Sequence, residues 1–385
     1  MIATSLPLLL ERMARRHILI VGDLCLDRYT WGDVERVSPE APVLVLRVDE
    51  QENRLGGAAS VAHLARGLGA EVTLASVVGP DPEGRLMTRL LLASGIHHSA
   101  LRIDPARPTT LKERFVGRAG QRHAHQMLRV DRERHDDLDR DVEARLISAA
   151  LAQMKVCEAV LVSDYGKGVC TPRLMKAVMQ AAHERGLPVA VDPARSANYE
   201  IYRGATVITP NRLEASTAVG RTIKTVADAL AAGRELCERF NLDHTLVTLD
   251  CDGMALSTRD RAAQGPRDSL PVGEPEESAR LPVCGQHFPT RRREVYDVTG
   301  AGDMVLATVG LGLAAEESIE DAIRLANVAA GLEVERQGVV QVTPNEILAD
   351  LVRHGDPHSD AGARPPATER NMVAPSRPAR EQALT

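Results

Sequence analysis

The sequence predicts an α/β protein with a mostly parallel central sheet, helices on both faces of that sheet, and a small separate sheet. From residue 158 onward, apolar strand-like runs alternate with helix-like segments, a pattern typical of parallel sheets covered on both faces. Residues 18–21 read Ile-Leu-Ile-Val, as expected of a strand buried on both sides. Four further strand-like runs, between residues 29 and 131, do not alternate with helices in this way, and they predict the separate sheet.

Composition and charge limit the kind of protein. With 385 residues, 44% of them hydrophobic but only 2% aromatic, the chain can bury a large core made mainly of Ala, Val, Leu and Ile. The net charge of −6 and the mixing of acidic with basic residues argue against nucleic acid as a partner. No apolar run is long enough to span a membrane, and the six cysteines are scattered, so we expect a cytoplasmic protein that does not contact membranes.

The strand-like run at 18–21 ends in a polar segment. Asp23 follows almost directly, and Asp27 lies four residues further on. In open α/β sheets, polar residues beyond the carboxyl end of a strand face the ligand crevice. Asp27 is therefore a candidate acceptor for a pair of sugar hydroxyls, although its spacing fits a helix cap or a surface turn equally well.

The small sheet is predicted to be a lid. Its four strand-like runs lie within two segments, 28–48 and 109–131. Residues 43–48 are apolar on both faces for part of their length, so an exposed lid requires a partner to cover it. A homodimer formed through the lid is the simplest arrangement.

Polar residues follow the strand-like runs of the larger sheet. These runs are 158–163, 188–192, 205–209 and 244–249. The polar or small residues that follow or end them include Asp164, Lys167, Asp192, Asn211, Glu214, Asp250 and Gly253. Each fits an ordinary turn by itself, but we expect the four strand ends to converge on one crevice. The pair Gly56-Gly57 begins a helix whose small side chains allow close packing or close approach of a ligand.

A glycine-rich segment, Asp-Val-Thr-Gly-Ala-Gly-Asp at 297–303, leads from a short β-prone run at 294–296 into an Ala/Leu/Val-rich helix. The first N–H groups of a helix have no intrahelical partner, and the helix dipole favours anions there. Gly300 and Gly302 have no Cβ, so a phosphate could approach their amides closely. Asp303 falls in the first helical turn, where the dipole favours the ionised form that a base requires. An ordinary capped helix would be the better explanation of a lone Gly-X-Gly. Here, however, two carboxylates, a threonine and two glycines occupy seven residues.

Two stretches lack secondary-structure periodicity. Residues 258–286 are predicted to be a flexible surface insertion, and residues 354–385, rich in Pro, Ala and Arg, are predicted to be a disordered tail. The sequence contains no G-x-x-x-x-G-K-[ST] phosphate loop, so a nucleotide must be held in some other way.

Six motifs carry a resemblance to a known family. Gly-Gly-Ala-Ala at 56–59, Asn-Arg-Leu-Glu at 211–214 and the segment at 297–303 resemble the ribokinase (PfkB) family of sugar kinases. Residues 36–43, 126–131 and 163–168 are similar to its branch of D-glycero-β-D-manno-heptose-7-phosphate kinases of ADP-heptose synthesis. The resemblance covers residues 12–353 and implies a ribokinase-like three-layer α/β/α kinase domain over residues 1–353. Many of these kinases are fused to an adenylyltransferase with a His-X-Gly-His motif; without that motif, this chain is expected to resemble the stand-alone kinase.

The resemblance implies transfer of the γ-phosphate of ATP to the C1 hydroxyl of the sugar. Asp303 would be the base, and the amides of Gly300, Ala301 and Gly302 would hold the developing negative charge. The implied sugar-binding residues are Asp27, Gly56, Gly57, Ser60 and Asp164. The cations implied for the phosphate that the sugar already carries are Lys112, Arg129 and Lys167. The implied nucleotide-binding residues are Asn211, Thr248, Asp250, Gly253, Thr299 and Asn327. Asn211 and Glu214 would organise Mg²⁺, partly through water.

Three positions depart from the family pattern. Ser60 stands where these kinases usually have Asn, Ala194-Arg195 replaces Lys-Gly, and Met304 follows Asp303 where Thr or Ser is common. The departures leave the family assignment intact and put the acceptor in question. Another sugar, a sugar phosphate or a nucleoside is the first alternative to the heptose phosphate. A catalytically silent sugar-binding module is the second, and the intact Asp303 with both glycines speaks against it.

Overall fold

The computed structural model describes residues 6–118, 124–196, 198–259, 283–291, 293, 296–336 and 338–355. Within these ranges the chain forms fourteen strands and ten α-helices. The strands are β1 (His17–Gly22), β2 (Leu24–Val37), β3 (Leu44–Gly57), β4 (Glu71–Ala75), β5 (Val77–Val78), β6 (Arg102–Ile103), β7 (Leu111–Arg118), β8 (His125–Arg132), β9 (Ala159–Ser163), β10 (Val189–Asp192), β11 (Val207–Ile208), β12 (His244–Thr248), β13 (Met254–Arg259) and β14 (Val283–Phe288). The helices are α1 (Leu6–Met13), α2 (Ala58–Gly67), α3 (Pro82–Ala93), α4 (Arg140–Gln153), α5 (Pro172–Arg185), α6 (Arg212–Val219), α7 (Val226–Phe240), α8 (Ala301–Ala314), α9 (Ile319–Glu333) and α10 (Pro344–His354).

Eight strands form the central sheet, in the order β4-β1-β9-β10-β11-β12-β13-β14. The first six of these are parallel, and β13 and β14 are antiparallel additions at one edge. In the register, Ile18 of β1 lies opposite Val72 of β4 and Ala159 of β9. The prediction of a mostly parallel central sheet is therefore confirmed.

Both faces of the sheet are covered by apolar packing. Ile18 and Ile20 of β1 belong to one buried cluster, with residues of α1, α2, α8 and α9. Leu19 and Val21 belong to a second cluster on the other face, with residues of α4, α5 and α7. Because successive side chains of a strand point to opposite faces, the continuous apolar run at 18–21 supplies both clusters. The molecule thus has three layers, helices on each side of one sheet.

The small sheet has four strands in the order β3-β2-β7-β8. β2 and β3 are much longer than the runs at 29–32 and 43–48 that predicted them, and they are joined by a short loop. Asp27 lies within β2, opposite Arg54 of β3 and Lys112 of β7. Asp27 is therefore neither a helix cap nor part of a surface turn. The polar residues of β2 have low strand propensity, so the sequence did not predict its full length. The strand forms because β3 pairs with it along its whole length.

Part of the predicted insertion is regular structure. Residues 258–259 end β13, and residues 283–286 begin β14. At both of its ends, therefore, the segment predicted to be a flexible insertion, 258–286, is strand. Val283–Phe288 is polar and contains a glycine, so it gives a weak strand signal; it forms a strand because β13 offers a free edge for pairing. Residues 260–282 and 356–385 lie outside the described residues. Tyr296, expected in a strand, lies in a bend, and residues 294–295 are also outside the described ranges.

None of the helices in the described ranges combines the length and the apolar character needed to cross a membrane.

Candidate active site

A cavity of about 320 Å³ opens at the carboxyl ends of the central parallel strands. Its lining combines residues that follow β9, β10, β11 and β12 with the first residues of α8. The lining residues are Asp164, Tyr165, Asp192, Pro193, Arg195, Thr209, Asn211, Glu214, Thr248, Gly300, Gly302 and Asp303. Polar residues from the first three strand ends thus lie beside Asp303 as expected, whereas the fourth strand contributes Thr248, and Asp250 and Gly253 are not among the lining residues.

The turn before α8 is held by one carboxylate. Asp297 accepts hydrogen bonds from the backbone N–H of Thr299 and of Gly338, both at 2.9 Å. Gly300 is the N-cap residue and has φ +100°, a conformation that side chains oppose. A Cβ at Gly300 would lie 2.5 Å from Glu333 Oε1, whereas a Cβ at Gly302 would meet no described atom within 4 Å. The space beside Gly302 is open toward the cavity, as an approaching anion requires.

Asp303 lies at the inner end of this turn and is only 6% exposed. Burial raises the pKa of its carboxyl to about 6, against the lowering effect of the neighbouring Ser60 and Tyr165 hydroxyls. The nearby Asp27 carboxylate also raises this pKa, and the Lys112 ammonium lowers it. The position of Asp303 in a first helical turn predicts an ionised carboxylate, but the sequence gives no sign of the burial that opposes ionisation. At neutral pH the group is still mainly ionised.

Three more carboxyl groups surround the cavity. Burial, followed by the charges of Glu214 and Asp303, raises the pKa of Asp192 well above its usual value. Burial also raises the pKa of Glu214 and raises that of Asp164 to about 6. Four acidic groups facing one small volume repel one another when ionised. A cation in the cavity would relieve this repulsion.

Asn211 and Glu214 form the capping box that begins α6. The Asn211 side chain accepts from the N–H of Leu213 and of Glu214, both at 2.9 Å, and Glu214 Oε2 accepts from the Asn211 N–H at 2.8 Å. Both residues line the cavity, and each carboxylate or amide oxygen can accept more than one hydrogen bond, so both can also accept from a ligand there. Among the described residues, no group of three or more His, Cys, Asp or Glu side chains is arranged to bind a metal directly.

The predicted sugar-binding residues lie where β2, β3 and α2 meet. Asp27 Oδ1 accepts a 2.5 Å hydrogen bond from Arg114 of β7, a partner that the sequence did not indicate. A Cβ at Gly56 would lie 2.4 Å from Asp27 Oδ2, so glycine is needed for the carboxylate to sit there. Gly57 caps α2 with φ +58°, and Ser60, one turn into α2, is fully buried beside Asp303.

Asp23 organises the loop that follows β9. Its carboxylate accepts hydrogen bonds from the backbone N–H of Tyr165, Lys167 and Val169 at 2.9, 3.0 and 3.0 Å. The Lys167 ammonium pairs with Glu133 Oε1 at 2.7 Å. The sequence placed Asp23 at a strand end but did not predict its partners, which are 142 to 146 residues away.

The other predicted cations occupy different depths. Lys112 Nζ lies 5.1 Å from the centroid of the Tyr165 ring, close to Asp303. Arg129 lies opposite Arg114 on the outer strand β8; its side chain is half exposed and pairs with Asp131 at 2.9 Å. The structure thus brings Lys112 to the base and leaves Arg129 at the rim of the small sheet.

The predicted nucleotide residues are spread along one side. Thr248 pairs through its backbone with Asn211 beside the cavity, and Thr299 lies in the turn before α8. Asp250 is exposed and pairs with Arg212 at 3.3 Å. Gly253 has φ +87°, and a Cβ there would lie 2.1 Å from the Phe288 carbonyl oxygen. Asn327 of α9 donates to the Pro289 carbonyl oxygen at 2.8 Å. These contacts give Gly253 and Asn327 a structural role.

One known protein family matches most of the chain. Residues 15–346 match the pfkB family carbohydrate kinases. The chain belongs to this family. It is accordingly an ATP-dependent carbohydrate kinase, as the motifs at 56–59, 211–214 and 297–303 predicted.

The relatives that this chain matches include longer proteins. The chain is 41% identical over 348 residues to the bifunctional protein HldE of Geobacter metallireducens, covering 90% of this chain and 65% of that protein. It is 38% identical over 346 residues to the bifunctional protein HldE of Rhodopseudomonas palustris, again covering 90% and 65%. The chain thus spans slightly less than two thirds of the length of these relatives.

Solved structures of a phosphofructokinase and of a ribokinase share the fold. Phosphofructokinase-2 from Escherichia coli, in complex with substrates and products, superposes with a TM-score of 0.64 at 16% identity, covering 88% of this chain and 99% of that one. Ribokinase from Arabidopsis thaliana, complexed with ribose and ATP, superposes with a TM-score of 0.59 at 18% identity, covering 87% and 98%. The ribokinase-like fold expected from the sequence is confirmed.

Proposed function

We propose that the chain transfers the γ-phosphate of ATP to the C1 hydroxyl of D-glycero-β-D-manno-heptose 7-phosphate, giving the 1,7-bisphosphate for ADP-heptose synthesis. The observation that supports phosphoryl transfer most directly is the position of Asp303 at the base of the glycine turn, inside the cavity. The acceptor is supported by the resemblance of residues 36–43, 126–131 and 163–168 to heptose phosphate kinases.

The proposed chemistry needs one proton transfer and one displacement. Asp303 takes the proton of the C1 hydroxyl as its oxygen bonds to the γ-phosphorus, and the bond from that phosphorus to the β–γ bridging oxygen breaks, releasing ADP. The buried carboxylate is suited to this because its pKa of about 6 leaves it ionised yet basic at neutral pH.

The negative charge of the reaction is met by the helix terminus and by a cation. Gly300 and Gly302 line the cavity, and the amides of Gly300, Ala301 and Gly302 would meet the phosphate charge that develops there. The Ala301 N–H lies 3.5 Å from the Val298 carbonyl oxygen, so it would have to exchange this long contact for the phosphate. Mg²⁺ fits the site because four carboxyl groups repel one another there; Asn211 and Glu214, with Asp192 close by, would hold it through water. When bound, Mg²⁺ neutralises the phosphate oxygens of ATP.

The remaining roles are those that the resemblance to sugar kinases implies. The sugar would contact Asp27, Gly56, Gly57, Ser60 and Asp164. Its phosphate would meet Lys112 and Lys167, with Arg129 approaching from the small sheet. The nucleotide would contact Asn211, Thr248, Asp250, Gly253, Thr299 and Asn327. Lys112 is the cation best placed to act near the reacting atoms, since its charge is felt at Asp303.

The small sheet would serve as a lid and as a dimer interface. Several large apolar side chains on β2, β3, β8 and the loop between β2 and β3 are more than half exposed. They are Val37, Val43, Leu44, Val48 and Leu128. Burial of such a patch against a second copy of the chain would stabilise a homodimer.

ATP consumption across a panel of acceptors tests this proposal. We expect turnover with the heptose 7-phosphate and loss of turnover when a chelator removes Mg²⁺. Asp303→Asn should reduce kcat by ~10²–10⁴-fold, while Asp137→Asn, at an exposed carboxylate outside the cavity lining, should not. Turnover with ribose or fructose but not with the heptose phosphate would replace the proposed acceptor. Full phosphoryl transfer by Asp303→Asn would remove Asp303 from its role.

A further inference from the structure

Tyr165 contacts the proposed base directly. It belongs to the loop after β9, and its hydroxyl donates a hydrogen bond to Asp303 Oδ1 at 3.0 Å. None of the motif arguments above gives this side chain a role. The contact joins residues 138 positions apart, so it exists only in the folded molecule.

The Tyr165 hydroxyl is a hydrogen-bond donor in this contact. Burial and the neighbouring Asp303 carboxylate raise the pKa of the phenol well above its usual value, so the hydroxyl keeps its proton. A donor to one carboxylate oxygen favours the ionised form of the acid.

The position of Tyr165 is fixed from three sides. Its backbone N–H donates to Asp23 Oδ2 at 2.9 Å, and Asp23 is 2% exposed. The next residue, Gly166, donates its N–H to Asp164 Oδ1 at 2.8 Å. Lys112 Nζ lies 5.1 Å from the ring centroid, within the range of a cation–π contact. The ring therefore lies between the base and the cation nearest to it.

We propose that Tyr165 is a positioning residue for Asp303: its hydroxyl donates to Oδ1, which keeps the carboxylate ionised and fixes its orientation for receiving the proton of the acceptor. Asp23 acts one step further out, by holding the backbone of Tyr165. The inference deepens the proposed function and rests on Asp303 being the base.

Tyr165→Phe removes the hydroxyl and keeps the ring over which Lys112 lies. The loss of one donor should move the acid limb of the pH dependence of kcat/KM upward by about one pH unit. With a wild-type limb near pH 6, the variant should be about fivefold slower than wild type at pH 6 and nearly equal to it at pH 8. A residue that merely supported the fold would lower activity equally at both pH values.

Tyr199→Phe is the matched control. Tyr199 is fully buried, whereas Tyr165 is 38% exposed. The Tyr199 hydroxyl makes no hydrogen bond with the described residues, and Tyr199 is not part of the proposed site. Its pH profile should match that of wild type. If Tyr165→Phe gives the wild-type profile as well, the proposal is overturned.

Asp23→Asn provides a second test should Tyr165→Phe not fold. It weakens the hold on the Tyr165 backbone while leaving the hydroxyl in place, and we expect an upward shift of the same limb. A folded Asp23→Asn protein with an unshifted limb contradicts the proposal. Wild-type protein that turns over no acceptor in the panel would instead contradict the proposed function, so the two failures are distinguishable.

Discussion

Asp303 shows how burial and ionisation compete at a single residue. Its pKa of about 6 lies above the usual value of an aspartic acid because burial disfavours the charged form. A base works only when ionised, so kcat/KM should fall as the pH drops through about 6. Initial rates from pH 5 to 8, at limiting acceptor, check this; a limb near pH 4 would mean that the carboxylate is better solvated than the cavity indicates.

Glu333 is a further carboxyl group with a raised pKa, and it lies behind the turn before α8. It is fully buried on α9, neither oxygen has a hydrogen-bond partner among the described residues, and burial raises its pKa to about 8. The charges of Asp303 and Asp297 raise this pKa further, and that of Arg336 lowers it. Since the unfolded chain releases this proton at a lower pH, wild-type stability should decline between the two pKa values as pH rises, and level off above about 8.

Glu333→Gln should remove that decline. We expect the Tm difference between variant and wild type to shift in favour of the variant from pH 5 to pH 8, by the equivalent of about 1–3 kcal/mol. Thermal unfolding at each pH measures it. Glu238→Gln, at an exposed position of α7, should show no such trend. A Tm difference independent of pH would indicate that Glu333 is ionised and stabilised in the folded protein.

The residues predicted from sequence are those whose role is set by near neighbours. Gly300, Gly302 and Asp303 stand in one turn, so their spacing alone placed them together. Arg114 beside Asp27 and Tyr165 beside Asp303 are contacts across 87 and 138 positions. Such pairs depend on strand order, for which a single sequence gives no direct signal.

At the level of elements, the two glycines of the turn before α8 have different roles: Gly300 is required for folding, and Gly302 is proposed to leave space for phosphate. Gly300→Ala forces an alanine into φ +100° and a Cβ against Glu333, and should lower stability by about 1–3 kcal/mol. Gly302→Ala adds a methyl group to open space within a helix, so Tm should stay equal or rise slightly.

The same methyl group at position 302 occupies the space beside the amides where phosphate is proposed to bind. Gly302→Ala should therefore fold normally and lose at least about tenfold in kcat/KM for ATP. Thermal unfolding and ATP titration of both variants separate the two effects. Normal ATP kinetics in Gly302→Ala would place the phosphate elsewhere.

The bounds of helices and strands were predicted best where an apolar segment is flanked by polar, proline or glycine residues that mark its ends. β1, β9 and the helices α5 and α7 are such cases. The extension of β2 and β3 and the existence of β14 depend on pairing with a neighbouring strand, so polar sequence there concealed regular structure.

For the whole molecule, the exposed apolar patch on the small sheet predicts its assembly. Wild-type protein at micromolar concentration should be dimeric, and the double variant Leu44→Lys with Leu128→Lys should be monomeric because charge would be buried on both copies. Leu92→Lys changes an equally exposed leucine on α3, outside the patch, and should leave the dimer intact. Light scattering after gel filtration measures the mass; a monomeric wild type would exclude the lid as a stable interface.

The three hydrogen bonds accepted by Asp23 also affect the order in which the protein folds. They join the first strand to a loop more than 140 residues later, and that loop then contacts a helix another 138 residues on. Closing such long loops is slow, since chain entropy must be lost before the contacts form. During refolding from denaturant, local helices should therefore appear first, and catalytic turnover should return only with the slowest tertiary phase.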